Sequence, residues 1–457
     1  MEKESKDNIV EQEVHNYSSE RAYVRPEEEA VLDHLEWFQD QKLALMMHWG
    51  IYSQPGIVES WALIDEDEIW SRNEIDWTDD IDAFKDSYVN LNKTFNPIRF
   101  EPAKWAAFAR EVGFRYLIFT TKHHDGFCMW DTRTTDYKIT GPDCPFHTNP
   151  RADIVRHVFD AFRSEGLGIA AYFSKADWHS PDYWKEGTLH SFTKRGPSYD
   201  PVSDPETWDR FRTYTQTQLK ELALEYGPVD ILWLDAGWVR PSNHQDLHLS
   251  ELMEELRQKQ PDLIIADRTV GGPNENYVTP EQCIPETPLS VPWESCITMG
   301  SAFSFRYEDT YKSARKVAGL LLEVIAKGGN LALNVAPQPD GRLPRNAMHI
   351  LKDFGLWLKD HEEGIFSTRV QAPFAKDGYF FTRNRHTGNV YAFRYYPEDA
   401  MQPETEFLIP YDGPVKRIRC LETGEELPFQ TLENGKQVTL DRIQNHPITI
   451  TFELLQD

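Results

Sequence analysis

The amino-acid sequence predicts an α/β fold, an irregular (β/α)8-like barrel followed by a C-terminal antiparallel β-sandwich. Up to about Leu358, short apolar runs alternate with stretches of helical periodicity, and beyond it short strands separated by turn signals take over. The chain has 457 residues, enough for a large domain and a smaller one. We therefore predict a barrel domain at residues 1–360, with an acidic N-terminal extension, and a β-sandwich at residues 361–457.

Seven candidate strands are visible in the barrel region. They are predicted at residues 43–49, 115–121, 167–174, 229–235, 263–268, 293–299 and 330–335. Between them, stretches such as 102–112 and 205–226 carry apolar residues at helical spacing, which is typical of βαβ units around a parallel sheet. An eight-stranded barrel would therefore have to be irregular or contain one strand that the pattern does not reveal.

The C-terminal region has the pattern of an antiparallel sheet. Residues 378–385 and 389–396 read as two strands joined by the turn His386-Thr387-Gly388, and a further run covers residues 448–454. Because helical periodicity is absent here, we predict a β-sandwich attached to the barrel.

The composition of the chain argues against several classes of binding partner and structural site. The formal net charge of −26 and the acidic isoelectric point argue against nucleic acid or an anionic membrane surface, since both would repel the chain. Five scattered cysteines without a CxxC pair indicate neither a disulfide framework nor a structural zinc site. The N-terminus lacks the pattern of a signal peptide, so we expect a cytoplasmic protein, unless the chain was trimmed from a longer precursor.

The most informative segment is DILWLD at residues 230–235, an apolar run that ends in a carboxylate. The carboxyl ends of barrel strands open onto one face, where a carboxylate can meet a ligand instead of packing into the core. Asp235 could equally cap the following helix. This segment alone leaves both interpretations open.

Three further polar clusters lie at strand ends. They are MHWG at residues 47–50, KHHDGF at 122–127 and GNLALNVAP at 329–337. Imidazole and indole N–H groups hydrogen-bond hydroxyls, and aromatic faces pack against the C–H surfaces of sugar rings. Together, His48, Trp49, His123, His124 and Trp233 therefore indicate a sugar site, although any one histidine alone would more often be structural.

A metal site is the alternative for His123, His124 and Asp125. Adjacent residues on a strand point to opposite faces, so we expect that the two histidines do not share one ion. The sequence contains no HExxH motif and no further ligand set with metal spacing. We therefore predict neither a catalytic metal nor a cofactor.

These motifs closely resemble those of the α-L-fucosidases of glycoside hydrolase family 29. The matching stretches are HWG at 48–50, TTKHHDGFCMWDT at 120–132, LWLDAGW at 232–238, ADR at 266–268 and GNLALNVAPQPDG at 329–341. The resemblance implies a barrel followed by a β-sandwich and the removal of terminal α-L-fucose with retention of configuration. It implies no metal and no organic cofactor.

Residue by residue, the resemblance places the nucleophile at Asp235. It also matches His48, His123, His124, Tyr172, Trp233 and Arg268 to positions that bind fucose. A retaining mechanism needs an ionised carboxylate to attack C1 and a protonated carboxyl to donate to the leaving oxygen.

Four glutamates follow Arg268 and could supply the second carboxyl: Glu275, Glu281, Glu286 and Glu294. In many relatives the acid/base follows the arginine by roughly a dozen residues in a TxE pattern, which Thr279-Pro280-Glu281 matches. The resemblance therefore selects Glu281, although Gln282 replaces the usual aromatic residue after it. Glu286 and Glu294 are the reserves.

The stretch VESWALIDEDEIWSR at residues 58–72 departs from the usual pattern, because Ser60 separates Glu59 from Trp61. The resemblance implies that Glu59 binds fucose hydroxyls. This longer pattern resembles the branch of the family that acts on α1-3 and α1-4 fucose of branched glycans.

We therefore expect a retaining exo-α-L-fucosidase that acts on Lewis-type oligosaccharides. A broad or α1-2-acting fucosidase and a trans-fucosylating enzyme remain alternatives of the same chemistry. A catalytically silent protein that binds fucosylated glycans, and a metal-dependent hydrolase, are alternatives of other classes.

Overall fold

The computed structural model describes residues 17–64, 68–72, 75, 77–191, 194–398, 400, 405–441 and 447–456. Within them the helices are α1 (Glu29–Gln41), α2 (Glu68–Ser71), α3 (Ile81–Val89), α4 (Pro102–Val112), α5 (Ile154–Ser164), α6 (Pro205–Glu225), α7 (Leu249–Arg257), α8 (Ala314–Ala326) and α9 (Arg345–Ile365). The barrel strands are β1 (Leu43–Met47), β2 (Tyr116–Lys122), β3 (Gly168–Ser174), β4 (Ile231–Asp235), β5 (Ile264–Asp267), β6 (Glu294–Thr298) and β7 (Asn330–Asn334). The C-terminal strands are β8 (Thr368–Lys376), β9 (Tyr379–Asn384), β10 (Val390–Tyr395), β11 (Glu406–Ile409), β12 (Arg417–Cys420), β13 (Glu426–Leu427), β14 (Phe429–Leu432), β15 (Gly435–Thr439) and β16 (Thr449–Leu455).

The barrel strands form one curled parallel sheet in the order β5-β4-β3-β2-β1-β7-β6. Each of the seven strands coincides with a predicted one, and helices alternate with them along the chain except between β5 and β6, so the predicted fold class is confirmed. Helices cover the outside because apolar residues of the strands alternate between two clusters, one inside the curled sheet and one beneath the helices.

The gap between β5 and β6 is closed by an irregular segment at residues 274–282, which we call the closing segment. The Asn276 N–H donates to the carbonyl of Ile265 on β5 at 2.9 Å. On the other side, the Gln282 N–H donates to the carbonyl of Cys296 on β6, also at 2.9 Å. The expected irregularity of the barrel therefore lies here, where a chain without regular strand pairing replaces an eighth strand.

The C-terminal domain contains a six-stranded antiparallel sheet, in the order β13-β12-β16-β10-β9-β8, and a three-stranded one, in the order β11-β15-β14. Both sheets contribute to one apolar core, with Phe381 and Phe452 from the larger sheet and Phe407 and Val438 from the smaller. This arrangement is the predicted sandwich-like domain. Helix α9 runs to Ile365, so the change in architecture falls a few residues after the predicted boundary at 360.

All five cysteines are within the described residues and are free thiols. None of the helices in the described ranges has the length and apolar character needed to cross a membrane. The acidic residues 1–16 of the predicted extension lie outside the described residues.

Candidate active site

A cavity of about 500 Å³ opens at the carboxyl ends of the barrel strands. Its lining residues come from loops that follow different strands and from the N-terminal segment. They include Tyr17, His48, Glu59, Trp61, Trp70, His123, Arg195, Trp233, Asp235, Trp238, Arg240, Arg268, Glu281, Cys296 and Phe303. A cavity at this face of a barrel is the ordinary place for an active site.

Strand periodicity places the predicted residues in the cavity. On β4, Ile231 and Trp233 point into the barrel, so Asp235 continues the same row at its upper end. On β1, Ala44 and Met46 point inward, and His48 follows in register just beyond the strand. On β5, Ile264 and Ala266 point inward, so Arg268, two residues further along, points inward as well. On β3, Tyr172 belongs to the same inner cluster.

Asp235 is held by two donors. The Tyr172 hydroxyl donates to Oδ2 at 2.5 Å, and Arg268 Nη1 donates to Oδ1 at 2.8 Å. Burial alone would raise the pKa of Asp235, but the Arg268 guanidinium and the Tyr172 hydrogen bond outweigh it. The pKa is therefore held well below its ordinary value, and Asp235 is ionised at neutral pH.

Arg268 joins Asp235 to Glu281. Its Nη2 donates to Glu281 Oε2 at 2.5 Å while its Nη1 serves Asp235, so one planar guanidinium spans both carboxylates. Its Nε donates to Thr279 Oγ1 at 3.2 Å, and its centre lies 4.4 Å from the Trp233 ring. These contacts fix the guanidinium on every side, so the two acids are presented together.

The backbone turns sharply after each of these three charged residues. The following residues have left-handed conformations: Ala236 (φ 71°), Thr269 (φ 60°) and Gln282 (φ 52°). Such φ values are costly for residues other than glycine and cluster at functional sites. Each turn changes the direction of the chain directly after the charged residue, whose side chain faces the cavity.

Three histidines near the cavity are neutral. Burial lowers the pKa of His48 to about 4 and that of His124 to about 3, and it lowers the pKa of His123 well below its usual range. His48 Nδ1 lies 2.8 Å from Asn334 Oδ1, which also accepts from the His48 N–H. Nδ1 is therefore the donor, and Nε2 is an acceptor for a ligand hydroxyl.

Among the described residues, the buried polar atoms close to the site that have no hydrogen-bond partner include Oε1 of Glu59 and Nε2 of His124. Burial raises the pKa of Glu59 to about 7. His124 Nε2 lies 3.8 Å from Asp235 Oδ2, in a layer just behind His123. An unpaired buried polar atom is costly, so both atoms are suited to bind hydroxyl groups of a ligand.

His123, His124 and Asp235 could together hold a cation, since one ligand atom from each lies within 4.8 Å of the others. The expectation that adjacent histidines would diverge is wrong here. Strand β2 ends at Lys122, so strand alternation no longer applies to the two histidines. Asp125 does not join this group, because its carboxylate accepts from Tyr88 at 2.8 Å and from the Phe127 N–H at 3.0 Å.

Trp49 does not face the cavity, which corrects its predicted role as a sugar contact. Its ring packs against Phe95, Phe100 and Trp105 in the outer core, with centroid distances of 5.1 to 5.7 Å. The reason is strand periodicity, because Trp49 continues the outward row of Leu45 and Met47 while His48 continues the inward one.

The reserve acids do not line the cavity. Glu286 is exposed on the loop that follows the closing segment. Glu294 is completely buried inside the barrel, where it accepts from Trp233 Nε1 at 3.0 Å, from Tyr277 at 3.4 Å and from Tyr116. Burial raises the pKa of Glu294 to about 7. Among Glu281 and its two reserves, only Glu281 reaches Arg268 and the cavity.

Several residues of the site were not predicted. Asn334 and Ser174 orient His48 and His124, and both lie at strand ends in the inward row, so strand periodicity could have identified them. Ser60 lies 2.5 Å from His123 Nδ1 on a loop that no periodicity governs. Tyr17 comes from the N-terminal extension, which the sequence indicated only to be acidic.

Comparisons with known proteins agree with this geometry. A family model described as α-L-fucosidase matches residues 10–363. An α-L-fucosidase from Dictyostelium discoideum is 26% identical over 385 residues, which cover 80% of this chain and 79% of that protein. The plasma α-L-fucosidase of Homo sapiens is 26% identical over 436 residues, which cover 90% of this chain and 86% of that protein.

Solved structures are also similar. α-L-Fucosidase isoenzyme 1 from Paenibacillus thiaminolyticus superposes with a TM-score of 0.75 at 26% identity, covering 94% of this chain and 100% of that chain. An α-fucosidase from Thermotoga maritima, solved with a mechanism-based inhibitor, superposes with a TM-score of 0.73 at 25% identity, covering 95% and 100%.

Proposed function

From the premise that this chain belongs to the α-L-fucosidase family and is a glycoside hydrolase with that activity, we propose that it acts by a retaining double displacement on α1-3/4-linked L-fucose of branched, Lewis-type glycans. One observation carries the mechanism. A single buried guanidinium, that of Arg268, binds an ionised Asp235 and Glu281 at the same time. A retaining glycosidase needs two carboxyl groups close together, one ionised to attack and one to donate a proton.

In the first step, a carboxylate oxygen of Asp235 attacks C1 of fucose, and the bond from C1 to the leaving oxygen breaks. Asp235 is suited to this role because its depressed pKa keeps it ionised. The Tyr172 hydroxyl and Arg268 hold its two oxygens in fixed directions. Such positioning lowers the entropic cost of attack.

Glu281 is the proposed acid/base. It donates its proton to the leaving oxygen in the first step and takes a proton from water in the second, when water attacks C1 and releases Asp235. Its place beside Arg268 and at the cavity supports this assignment over Glu286 and Glu294.

The sugar would bind against Trp233, with hydroxyl groups facing Glu59 Oε1 and the histidines. His48, His123 and His124 are neutral, so they offer hydrogen bonds without placing charge beside the reacting carbon. Among the other predicted fucose-binding residues, Tyr172 and Arg268 act through their hydrogen bonds to Asp235, and Trp49 faces the outer core.

The mouth of the cavity supports the proposed preference for branched glycans. The Arg195 guanidinium lies 5.2 Å from the Trp61 ring and 5.8 Å from the Trp238 ring. Aromatic faces and a fixed cation at this position can contact a sugar attached beyond the fucose. Residues 65–67 of the stretch that suggested the linkage lie outside the described residues.

Two measurements test the proposal. A 2-fluorofucosyl fluoride should label Asp235, identified by peptide mapping, and label on another carboxylate would contradict the mechanism. For linkage, Lewis-type trisaccharides should be cleaved with kcat/KM at least about tenfold above 2'-fucosyllactose, since contacts to the galactose branch add transition-state binding. Equal or faster cleavage of the α1-2 substrate would indicate the broad or α1-2-acting alternative.

The same assays separate the remaining alternatives. A glycosyl-enzyme on Asp235 can be intercepted by a sugar hydroxyl, so a new oligosaccharide that accumulates at high acceptor concentration would indicate trans-fucosylation. Binding of glycans without turnover would indicate a silent glycan-binding protein.

A further inference from the structure

We infer that Tyr17 is a specificity-determining residue that stacks on the sugar leaving the active site. Tyr17 belongs to residues 17–23, which we call the N-terminal strap, and its side chain lines the same cavity as Asp235 and Glu281. The inference rests on the proposed function, because it takes Glu281 as the acid that faces the leaving oxygen.

The strap is fixed to the segment that contains Glu281. Ser18 Oγ donates to Glu275 Oε2 at 2.5 Å, and the same carboxylate oxygen accepts from the Gly271 N–H at 2.6 Å. Glu275 is 1% exposed, so this anchor is buried. Ordering by a buried, hydrogen-bonded carboxylate gives the strap a definite position beside the cavity.

Two further contacts hold the strap. Glu20 Oε1 accepts from the N–H of Ser290 at 2.5 Å and from its hydroxyl at 2.8 Å. The Gly272 N–H donates to the carbonyl of Ala22 at 2.8 Å. The strap therefore crosses the chain between Arg268 and β6 at several points, and Tyr17 is presented at its end.

The position of Tyr17 relative to Glu281 indicates which part of the substrate its ring contacts. Glu281 must face the glycosidic oxygen, so the leaving sugar passes along the side of the cavity that contains Glu281. Tyr17 enters the cavity next to Ser18, whose hydroxyl bonds to Glu275 on the same closing segment as Glu281. Its ring can therefore stack on the C–H face of the leaving sugar, a contact that fucose itself does not make.

The experiment compares two substrates with each variant. One is the fucosylated trisaccharide that the wild-type enzyme cleaves fastest, and the other is α-L-fucosyl fluoride, which has no leaving sugar. Tyr17→Ala should reduce kcat/KM for the trisaccharide by about tenfold, and this loss should exceed the loss on the fluoride at least fivefold. Tyr17→Phe, which keeps the ring, should retain most of the activity on the trisaccharide.

Val24→Ala is the matched control, because Val24 lies just beyond the strap, is 48% exposed and does not line the cavity. It should leave both rates unchanged. Equal losses on both substrates with Tyr17→Ala, or no loss on the trisaccharide, would overturn the inference. A Tyr17→Phe variant as impaired as Tyr17→Ala would overturn the stacking contact. Failure of the wild-type enzyme to hydrolyse fucosyl fluoride would instead overturn the proposed function.

Discussion

Asp235 and Glu281, the two carboxylates of the active site, lie on backbone segments of very different regularity. Asp235 ends β4, a regular strand paired on both sides with β3 and β5. Glu281 lies on the closing segment, which contacts β5 and β6 through isolated bridges instead of a continuous ladder. The proposed nucleophile thus lies on a regularly paired strand of the barrel, and the proposed acid/base lies on its irregular segment.

This difference shows that the two carboxylates are positioned in different ways. A strand end fixes a carboxylate by backbone geometry, and buried donors then set its charge. The irregular segment instead relies on a side chain, Arg268, to hold Glu281 in place. Substitutions at the two positions should therefore have different effects on the reaction.

Asp235→Asn should reduce kcat for every fucoside by about 10⁴-fold or more, because the amide cannot form the glycosyl-enzyme. The substitution is nearly isosteric. Its single amide oxygen can still accept from Arg268, while its NH2 group faces the Tyr172 hydroxyl, which can accept. Steady-state kinetics with fucosyl fluoride and with a trisaccharide measure the loss. Substantial turnover of either substrate would mean that the nucleophile is not at the strand end.

Glu281→Ala should reduce turnover of natural glycans by about 10² to 10⁴, since proton donation to a poor leaving group is lost. Fucosides with good leaving groups should lose far less in the first step, and azide should restore their turnover by attacking C1 without base catalysis. Glu286→Ala, on the exposed loop nearby, is the matched control and should behave like wild type. The opposite pattern would move the acid/base to Glu286.

Glu294→Gln should reduce kcat/KM by about tenfold, because one buried hydrogen bond that positions Trp233 is weakened. Leaving-group dependence should not change, since Glu294 lies beneath the cavity and does not reach the leaving oxygen. A leaving-group effect like that of Glu281→Ala would instead make Glu294 the acid/base.

The same variant should change how stability depends on pH. Burial raises the pKa of Glu294 in the folded protein to about 7, above its value in the unfolded chain. The wild type therefore has the full contribution of this group at low pH and loses it as pH rises through about 7. The Tm of the wild type, relative to that of Glu294→Gln, should fall between pH 5 and pH 8. An unchanged difference would contradict the raised pKa.

Exhaustive chelation should leave activity unchanged, the smallest expected effect. Tyr172 and Arg268 already donate to both oxygens of Asp235, so a cation at His123 and His124 would have to compete with them. Activity after dialysis against EDTA, with and without added zinc or calcium, is the measurement. Loss on chelation with recovery on addition of metal would give the histidines a metal-binding role.

The regular half of this contrast could be predicted from sequence, and the irregular half only in part. Strand periodicity identifies Asp235, His48 and Arg268, because each continues an inward row at a strand end. Applied consistently, the same periodicity would have excluded Trp49. Glu281 was selected only through family resemblance, since no periodicity distinguishes it from Glu286. Tyr17 depends on contacts between residues more than 250 positions apart, such as Ser18 with Glu275, which no local pattern reveals.

When the enzyme is heated, the closing segment should open before strands β3 and β4. Because isolated bridges connect it to the barrel, its amides should exchange with solvent through local opening, at lower free energy than those of β3 and β4. Val278 and Gln282, whose N–H groups bond to Pro292 and Cys296, report that opening in a hydrogen-exchange experiment. An enzyme built in this way should lose activity reversibly some degrees below its melting temperature, while the barrel is still folded.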